Sequence, residues 1–398
     1  MKVLLVSTSE QSGGGAIAAR RLMEALRQNG VEARMMVRDK QSDDKAVVKV
    51  GCKLPKLLER LDILPYVSRI EGKRGDFRTR LWQPDTASEG IRITRTREFR
   101  EADVIHLHWV NQGMLSLHEI GRILSSGKRV VWTLHDEWPY LGVCHYRGRC
   151  EQLECRFCPV MSGVLPFYIR KRKHELYQAW RPTFVGCSQW ITRQAHYAMP
   201  RQRVVHINNC IPSALFHPTD MQQARRALSL PPTGRLLLFC SQKVTDERKG
   251  IAFLAEALGF LATDNVHLVI VGKGSEHIPL PDGITATRLG TVCESRMPLV
   301  YSAVDAFLTP SLQDNLPNTI AEAMSCGTPC VGFDVGGISE MIDHKENGYV
   351  ARYRDAVDLA EGIRYVLARD LRQAAHAKAA CAYDEASVAR QYIDLYRE

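Results

Sequence analysis

Two carboxylates, Asp314 and Glu322, lie eight positions apart in the run Pro310-Ser311-Leu312-Gln313-Asp314-Asn315-Leu316-Pro317-Asn318-Thr319-Ile320-Ala321-Glu322. Pro317 suits a first helical turn and Asn315 a cap, which puts Asp314 in a loop and Glu322 about a turn inside the following helix. There, one acid can reach sugar hydroxyls at the helix mouth and the other a ribose. The amides at the helix start can bind a diphosphate between them. An isolated pair of this kind reads equally well as a capping acid and a solvated glutamate. A second cradle for phosphate is available at Ser12-Gly13-Gly14-Gly15, between an apolar run and a helical pattern at Ala18, Leu22, Ala25 and Leu26. Glycines let backbone N–H groups approach an anion there, although a tight turn without a ligand needs the same residues.

His135 closes the apolar run Val131-Trp132-Thr133-Leu134 and so falls at the C-terminal edge of a sheet, where ligands of open α/β sheets gather. His106, His108 and Trp109 end the preceding run, and strand alternation points both histidines to one side. Asp136 can orient a histidine or act as a base. Cys144, Cys150, Cys155 and Cys158 occupy 15 residues with five, four and two residues between them. Four thiolates in a short polar loop suit a tetrahedral structural zinc, with His145 as a substitute ligand; labile disulfides or free thiols are the alternative. The other eight cysteines are scattered singly and read mostly as small buried hydrophobes.

The elements that must position these groups alternate short apolar runs with helical patterns, the signature of parallel sheets covered on both faces. Strands are expected at 2–6, 34–37, 103–107, 129–134, 183–187 and 204–207. The series then restarts at 236–240, 267–271, 285–289, 306–308 and 329–332. Helices are expected at 251–261, 320–325 and 357–367. Two α/β domains follow, 1–210 and 211–383, joined through the proline-rich stretch 208–232. Residues 55–100 fit neither pattern. Rich in Arg and Lys, with Leu57, Leu58, Leu61, Leu64 and Val67, they read as an amphipathic insertion.

The 398 residues are 45% apolar and 24% charged, which excludes a disordered or collagen-like chain. No apolar run approaches the roughly 20 residues that span a bilayer, and Met1 to Ser7 is too short for a signal-peptide core, so a cytoplasmic protein is expected. Residues 1–210 carry 35 Lys and Arg against 21 Asp and Glu, or +14, while the remainder carries 18 against 23, or −5. The basic half implies an anionic partner. Arg170-Lys171-Arg172-Lys173, flanked by Phe167, Tyr168, Ile169, Tyr177 and Trp180, can lie at a membrane interface or form a solvated charge run.

The acidic pair continues into Ala323-Met324, Cys326-Gly327-Thr328-Pro329, Gly336-Gly337 and Asn347-Gly348-Tyr349. This run closely resembles the retaining nucleotide-sugar glycosyltransferases of family 4. The resemblance covers most of the chain, including Gly14-Gly15, Lys249-Gly250, Val271-Gly272-Lys273-Gly274, Leu289-Gly290 and Ile207-Asn208-Asn209. The segment 131–138 and the cysteines after it look like the exopolysaccharide branch, including colanic-acid-type enzymes.

The resemblance implies a GT-B architecture: two Rossmann-like domains facing each other across a cleft, with a final helix, 384–398, returning to the first. The donor sits on the C-terminal domain and the acceptor on the N-terminal one. Glu322 would then bind the donor ribose and Asp314 the transferred sugar, with the backbone around Asn315, Leu316 and Asn318 at the phosphates. Gly14, Gly15 and Gly272 would line the donor. His135 would contact its sugar. His106, His108 and Trp109 become candidates for acceptor recognition, with Asp136 beside them. The family usually has Glu where this chain has Asp314, and Arg where it has Lys243. Lys243 keeps the charge but loses the planar fork, which Arg248 could replace. Lys243 and Lys249 would stabilise charge developing on the β-phosphate without a catalytic metal.

The expected activity is transfer of a hexose, with retained configuration, to a lipid-linked acceptor in exopolysaccharide or lipopolysaccharide assembly. The enzyme would be peripheral on the inner face of the cytoplasmic membrane. A nucleotide-sugar epimerase of the same fold would leave the basic half without a use. A zinc-stapled nucleic-acid-binding protein would leave 314–340 unexplained, so nucleic acid is not expected as a partner.

Overall fold

The computed structural model describes residues 1–51, 84–148, 150, 153–161 and 163–398. It divides into two compact units, Met1–Ile207 with Ala389–Glu398, and Asn208–Val388. The expected amphipathic stretch around Leu57 to Val67 lies outside the described residues. Its described end, from residue 84, is extended chain leading to the short helix Arg97–Glu101, anchored by the buried Ile93 and Phe99.

The first unit is a seven-stranded parallel sheet of β1 (Lys2–Ser9), β2 (Glu32–Asp39), β3 (Val47–Lys49), β4 (Val104–Leu107), β5 (Arg129–Leu134), β6 (Thr183–Gly186) and β7 (Val204–His206). The order is β3-β2-β1-β4-β5-β6-β7. Val3 to Ser9 of β1 are all buried, as a strand covered by helices on both faces requires. Strand order reverses between β1 and β4, so the chain leaves the sheet in opposite directions there and opens a crevice at the carboxyl ends. Thr8 laces that point together: its amide donates to the Trp109 carbonyl at 2.8 Å and its hydroxyl to the Asn111 carbonyl at 2.7 Å.

The second unit is a six-stranded parallel sheet of β8 (Arg235–Lys243), β9 (Val266–Lys273), β10 (Thr285–Gly290), β11 (Ala306–Thr309), β12 (Cys330–Phe333) and β13 (Gly348–Ala351). Its order, β10-β9-β8-β11-β12-β13, places the reversal between β8 and β11. Leu237, Phe239, Ile270, Leu308 and Phe333 pack on one face against Leu254 and Leu258 of the helix Ile251–Gly259 and Leu359, Ile363 and Val366 of the helix Ala356–Leu367. These helical residues recur every three or four positions, the spacing of a single buried stripe.

The units are therefore Rossmann-like, each with one switch point. The last helix, Glu385–Arg397, begins in the second unit and carries Tyr392 and Tyr396 into the first. Two strands, β3 and β13, were not expected from the sequence. Each has only three or four residues, and β13 starts on a glycine. Of the scattered cysteines, Cys187, Cys210, Cys326 and Cys330 are buried, whereas Cys293 and Cys381 are exposed. Among the described residues no helix is long and apolar enough to cross a membrane.

Candidate active site

In the second unit the chemistry collects at the end of β8 and the start of the loop after β11. Lys243 ends β8 in register with Lys273, the last residue of β9, so two cations lie side by side at the sheet edge. A turn capped by Asp246, whose carboxylate accepts from the Arg248 amide at 3.1 Å, then brings the chain back to Lys249 and Gly250. Gly250 has φ of 71°, and a Cβ there would stand 1.8 Å from the Pro310 carbonyl oxygen. Only glycine lets this turn lie on the 310–314 loop, and the Leu312 amide donates to the Arg248 carbonyl at 2.6 Å across the contact.

The close approach has one chemical product. Lys249 Nζ reaches Asp314 Oδ2 at 2.5 Å, with Ser311 Oγ donating to the same oxygen at 3.4 Å. Gly336, with φ of 60°, supports the loop from the other side, because a Cβ would meet the Asp314 carbonyl at 1.7 Å. The next amide, Gly337, donates to the Asn315 carbonyl at 2.8 Å. The Asn315 amide in turn donates to Asp314 Oδ1 at 3.1 Å, so the Asn315 backbone expected at the phosphates is engaged within the loop.

The helix Asn318–Ser325 opens directly afterwards with Pro317 as its cap, which puts its first-turn amides and the positive end of its dipole at the mouth of this turn. Leu316 is buried, and the Asn318 side-chain oxygen accepts from Asn209 Nδ2 at 3.1 Å. Glu322, 7% exposed, accepts from Tyr301 Oη at 2.7 Å. Tyr301 carries no local signal of this role in the sequence. Burial, and then the neighbouring carboxylate, push its phenol well above the usual range, so it acts as a donor. Gly272 is explained by packing: with φ of 133°, a Cβ would meet the Ser241 carbonyl at 1.8 Å. Arg248 is ion-paired with Asp246, so its guanidinium is held by a residue of its own turn.

In the first unit the helix Gly14–Gln28 starts at the switch point, behind Gly13 with φ of 93°. Gly15 lies against His135, where a Cβ would come within 3.0 Å of the ring. His135 Nε2 is 3.0 Å from His108 Nδ1, and the two rings stack. Burial pushes the His135 pKa down to about 4.

Two further candidates of this unit, His106 and Asp136, are buried. His106 is fully buried, with Nδ1 at 2.6 Å from Tyr396 Oη and Nε2 at 2.8 Å from Thr133 Oγ1. Thr133 Oγ1 is also 3.0 Å from Tyr392 Oη. His106 thus bonds the last helix through Nδ1 and the neighbouring strand β5 through Nε2. Asp136 is likewise buried and accepts from Trp109 Nε1 at 2.8 Å, His145 Nδ1 at 2.6 Å and the Trp138 amide at 3.0 Å. Burial raises its pKa, but His145 and the two other donors outweigh that and hold it below the ordinary carboxylate value. Asp136 therefore orients Trp109 and His145.

Cys144, Cys150, Cys155 and Cys158 are free thiols. Burial, then Cys158, Cys155 and Cys150, push the Cys144 thiol up to about 12. Among the described residues no group of three or more His, Cys, Asp or Glu is arranged to hold a metal ion, and His145 spends Nδ1 on Asp136. Lys173 is a further correction: it is not part of a solvated basic run. It is fully buried over the Trp138 ring and donates to the carbonyls of Trp138, Leu141 and Gly142 at 2.7, 3.0 and 3.0 Å.

The family profile described as Glycosyltransferase Family 4 matches residues 12–215, just over half of the chain, and that described as Glycosyl transferases group 1 matches residues 234–369. The chain belongs to glycosyltransferase family 4. A putative colanic acid biosynthesis glycosyl transferase, WcaC of Escherichia coli K12, is 23% identical over 74% of this chain and 76% of its own length. A putative teichuronic acid biosynthesis glycosyltransferase, TuaC of Bacillus subtilis 168, is 30% identical over 36% of this chain and 35% of its own. Among solved structures, sucrose-phosphate synthase of Thermosynechococcus elongatus aligns with a TM-score of 0.68 at 18% identity over 100% of this chain and 98% of its own. Anabaena HepE in complex with UDP-glucose gives 0.65 at 17% over 99% of each chain. At these identities the structural likeness is one of fold, and the fold is GT-B.

The buried imidazoles make stability depend on pH. The folded-state pKa of His106 is pushed by burial to about 3 from 6.5. Between these values the unfolded chain binds a proton that the native chain does not, so stability is complete above 6.5 and declines as pH falls. At pH 5 one such ring costs about 2 kcal/mol. Urea unfolding at pH 7 and pH 5 should show a smaller difference in His106→Gln than in the parent; an undiminished difference would contradict a neutral buried His106.

Proposed function

We propose that this protein is a metal-independent, retaining hexosyltransferase that uses a nucleoside-diphosphate hexose as donor and a lipid-linked saccharide as acceptor in the assembly of an extracellular polysaccharide. The observation that carries the reading is the Lys249–Asp314 pair at the β8/β11 switch point, beside a helix N-terminus and next to Lys243. A diphosphate arriving there competes with Asp314 for the Lys249 ammonium. Asp314, released, accepts from hydroxyls of the hexose, while Glu322 meets the ribose from a carboxylate already oriented by Tyr301.

The bond from the anomeric carbon to the β-phosphate oxygen then breaks, and its electron pair stays on the phosphate. Lys243, Lys249 and the helix amides stabilise the new charge. The acceptor hydroxyl attacks the same face and its proton passes to the departing phosphate. No enzymic carboxylate serves as nucleophile, unlike the double displacement of retaining glycosidases. Neutral His135 contacts the hexose as an uncharged hydrogen-bonding group. The names of WcaC and TuaC support a polysaccharide product, and the UDP-glucose complex of HepE supports a nucleotide-sugar donor.

A panel of UDP and GDP hexoses, scored by thermal shift and then by transfer in the presence of a chelator, tests this reading. At least one donor should stabilise the protein and be turned over with retained configuration. Asp314→Ala should lower turnover by roughly a hundredfold or more with the fold intact. Near-normal turnover in that variant, or a sugar epimer as the product, would contradict the proposal.

The acceptor's lipid gives the basic first unit a use. Phe157, Val164, Tyr168 and Trp180 are at least half exposed, and Arg156 lies over the Phe167 ring at 5.2 Å. Aromatic and aliphatic side chains beside surface cations suit the headgroup region of an anionic leaflet on the inner face of the cytoplasmic membrane. The protein should sediment with phosphatidylglycerol vesicles and be released by high salt, and Phe157→Ser with Tyr168→Ser should weaken the association. Equal failure to bind anionic and zwitterionic vesicles would remove the membrane from the reading.

A further inference from the structure

His108 directly follows β4, two residues beyond His106, is 3% exposed, and its Nε2 has no hydrogen-bond partner. Its Nδ1 has one, His135 Nε2 at 3.0 Å. A neutral imidazole carries one N–H and one lone pair, so this single contact leaves two arrangements. If His135 Nε2 donated, His108 would have to accept on Nδ1 and leave a buried N–H unpaired at Nε2. If His108 Nδ1 donates, only a lone pair is left there. Orphaned buried N–H groups are the rarer outcome, because a desolvated donor without an acceptor costs more than an acceptor that other contacts can partly satisfy. A doubly protonated His108 fails on the same ground and adds a charge to a site shared with His106, whose ring centroid is 4.2 Å away. Burial, and then His106 and His135, hold the His108 pKa well below its ordinary value.

The structure assigns His108 as a positioning residue that donates from Nδ1 to His135 Nε2 and thereby holds His135 in the tautomer protonated on Nδ1. His135 then carries its ring proton on Nδ1 and cannot act as a base through that atom. Gly15 lies beside the same ring: a Cβ there would stand 3.0 Å from His135 Cγ, so the absence of a side chain at residue 15 leaves the imidazole its place. The tautomer stands on geometry alone; its consequence for turnover rests on the reading of His135 as a contact of the transferred hexose. Neither the spacing of the histidines nor their strand alternation distinguishes this role from direct contact with an acceptor.

Two amide substitutions separate the atoms. In His108→Asn the amide nitrogen occupies the Nδ1 position and can still donate to His135. In His108→Gln it moves to the Nε2 position and no donor is left at the Nδ1 position. Nitrogen-15 spectra of histidine-labelled protein, with the His135 signals identified by their loss in His135→Ala, report the tautomer directly. The expected wild-type pattern is a protonated Nδ1 and a bare Nε2 on His135, kept in His108→Asn and lost in His108→Gln. For the preferred donor, kcat should stay within about threefold of wild type in the Asn variant and fall roughly ten- to a hundredfold in the Gln variant. The thermal shift with the free nucleoside diphosphate should be unchanged in both. A protonated Nε2 on wild-type His135, or a Gln variant with the wild-type pattern, would overturn the assignment. A changed tautomer with unchanged kcat would instead uphold the assignment and remove His135 from the chemistry.

Discussion

The contact between Lys249 and Asp314 depends on backbone more than on charge. An ammonium and a carboxylate that both keep some solvent access contribute only about 1 kcal/mol to stability. What places them 2.5 Å apart is the absence of side chains at two glycines. Gly250 lets its turn rest on the Pro310 carbonyl, and Gly336 lets a second turn rest on the Asp314 carbonyl. The loop after β11 is thus clamped from both sides, and the helix Asn318–Ser325 must start where the clamp ends. Cations, an acid and a helix N-terminus converge because the strand order reverses between β8 and β11.

The first unit meets the same requirement with uncharged groups. Its switch point holds a glycine helix start and a stack of neutral imidazoles in place of lysines. Burial disfavours the protonated form of all three rings, and Asp136, whose charge works the other way at His135, is itself held by three donors. The last helix contributes to this order through Tyr396 and Tyr392, which take up His106 and Thr133 and leave His108 and His135 as the remaining pair. A residue near the end of the chain therefore governs the packing beneath the first candidate site.

What could be read from the sequence was what local pattern encodes. The buried runs of β1, β4, β5, β8 and β9 announce a covered parallel sheet, and Asp314, Pro317 and Glu322 announce a loop, a helix start and an interior acid. The short edge strands β3 and β13 have too few residues to show a period. The bond between His106 and Tyr396 spans 290 positions, and that between Tyr301 and Glu322 joins separate helices, so neither leaves a trace in spacing. Lys173 shows the converse failure. Four successive cations read as a run facing a membrane or solvent, yet helical periodicity turns the fourth inward, where three carbonyls satisfy its ammonium. Only the family pattern, not any single residue, raised the acidic pair above an ordinary helix cap.

The most direct measurement is a structure of the protein with its preferred nucleotide sugar bound. The diphosphate should lie at the opening of the helix Asn318–Ser325 with an oxygen in hydrogen-bonding reach of Lys249 Nζ, and Asp314 should face the hexose. A nucleotide seated away from that helix, with the Lys249–Asp314 pair undisturbed, would contradict the account.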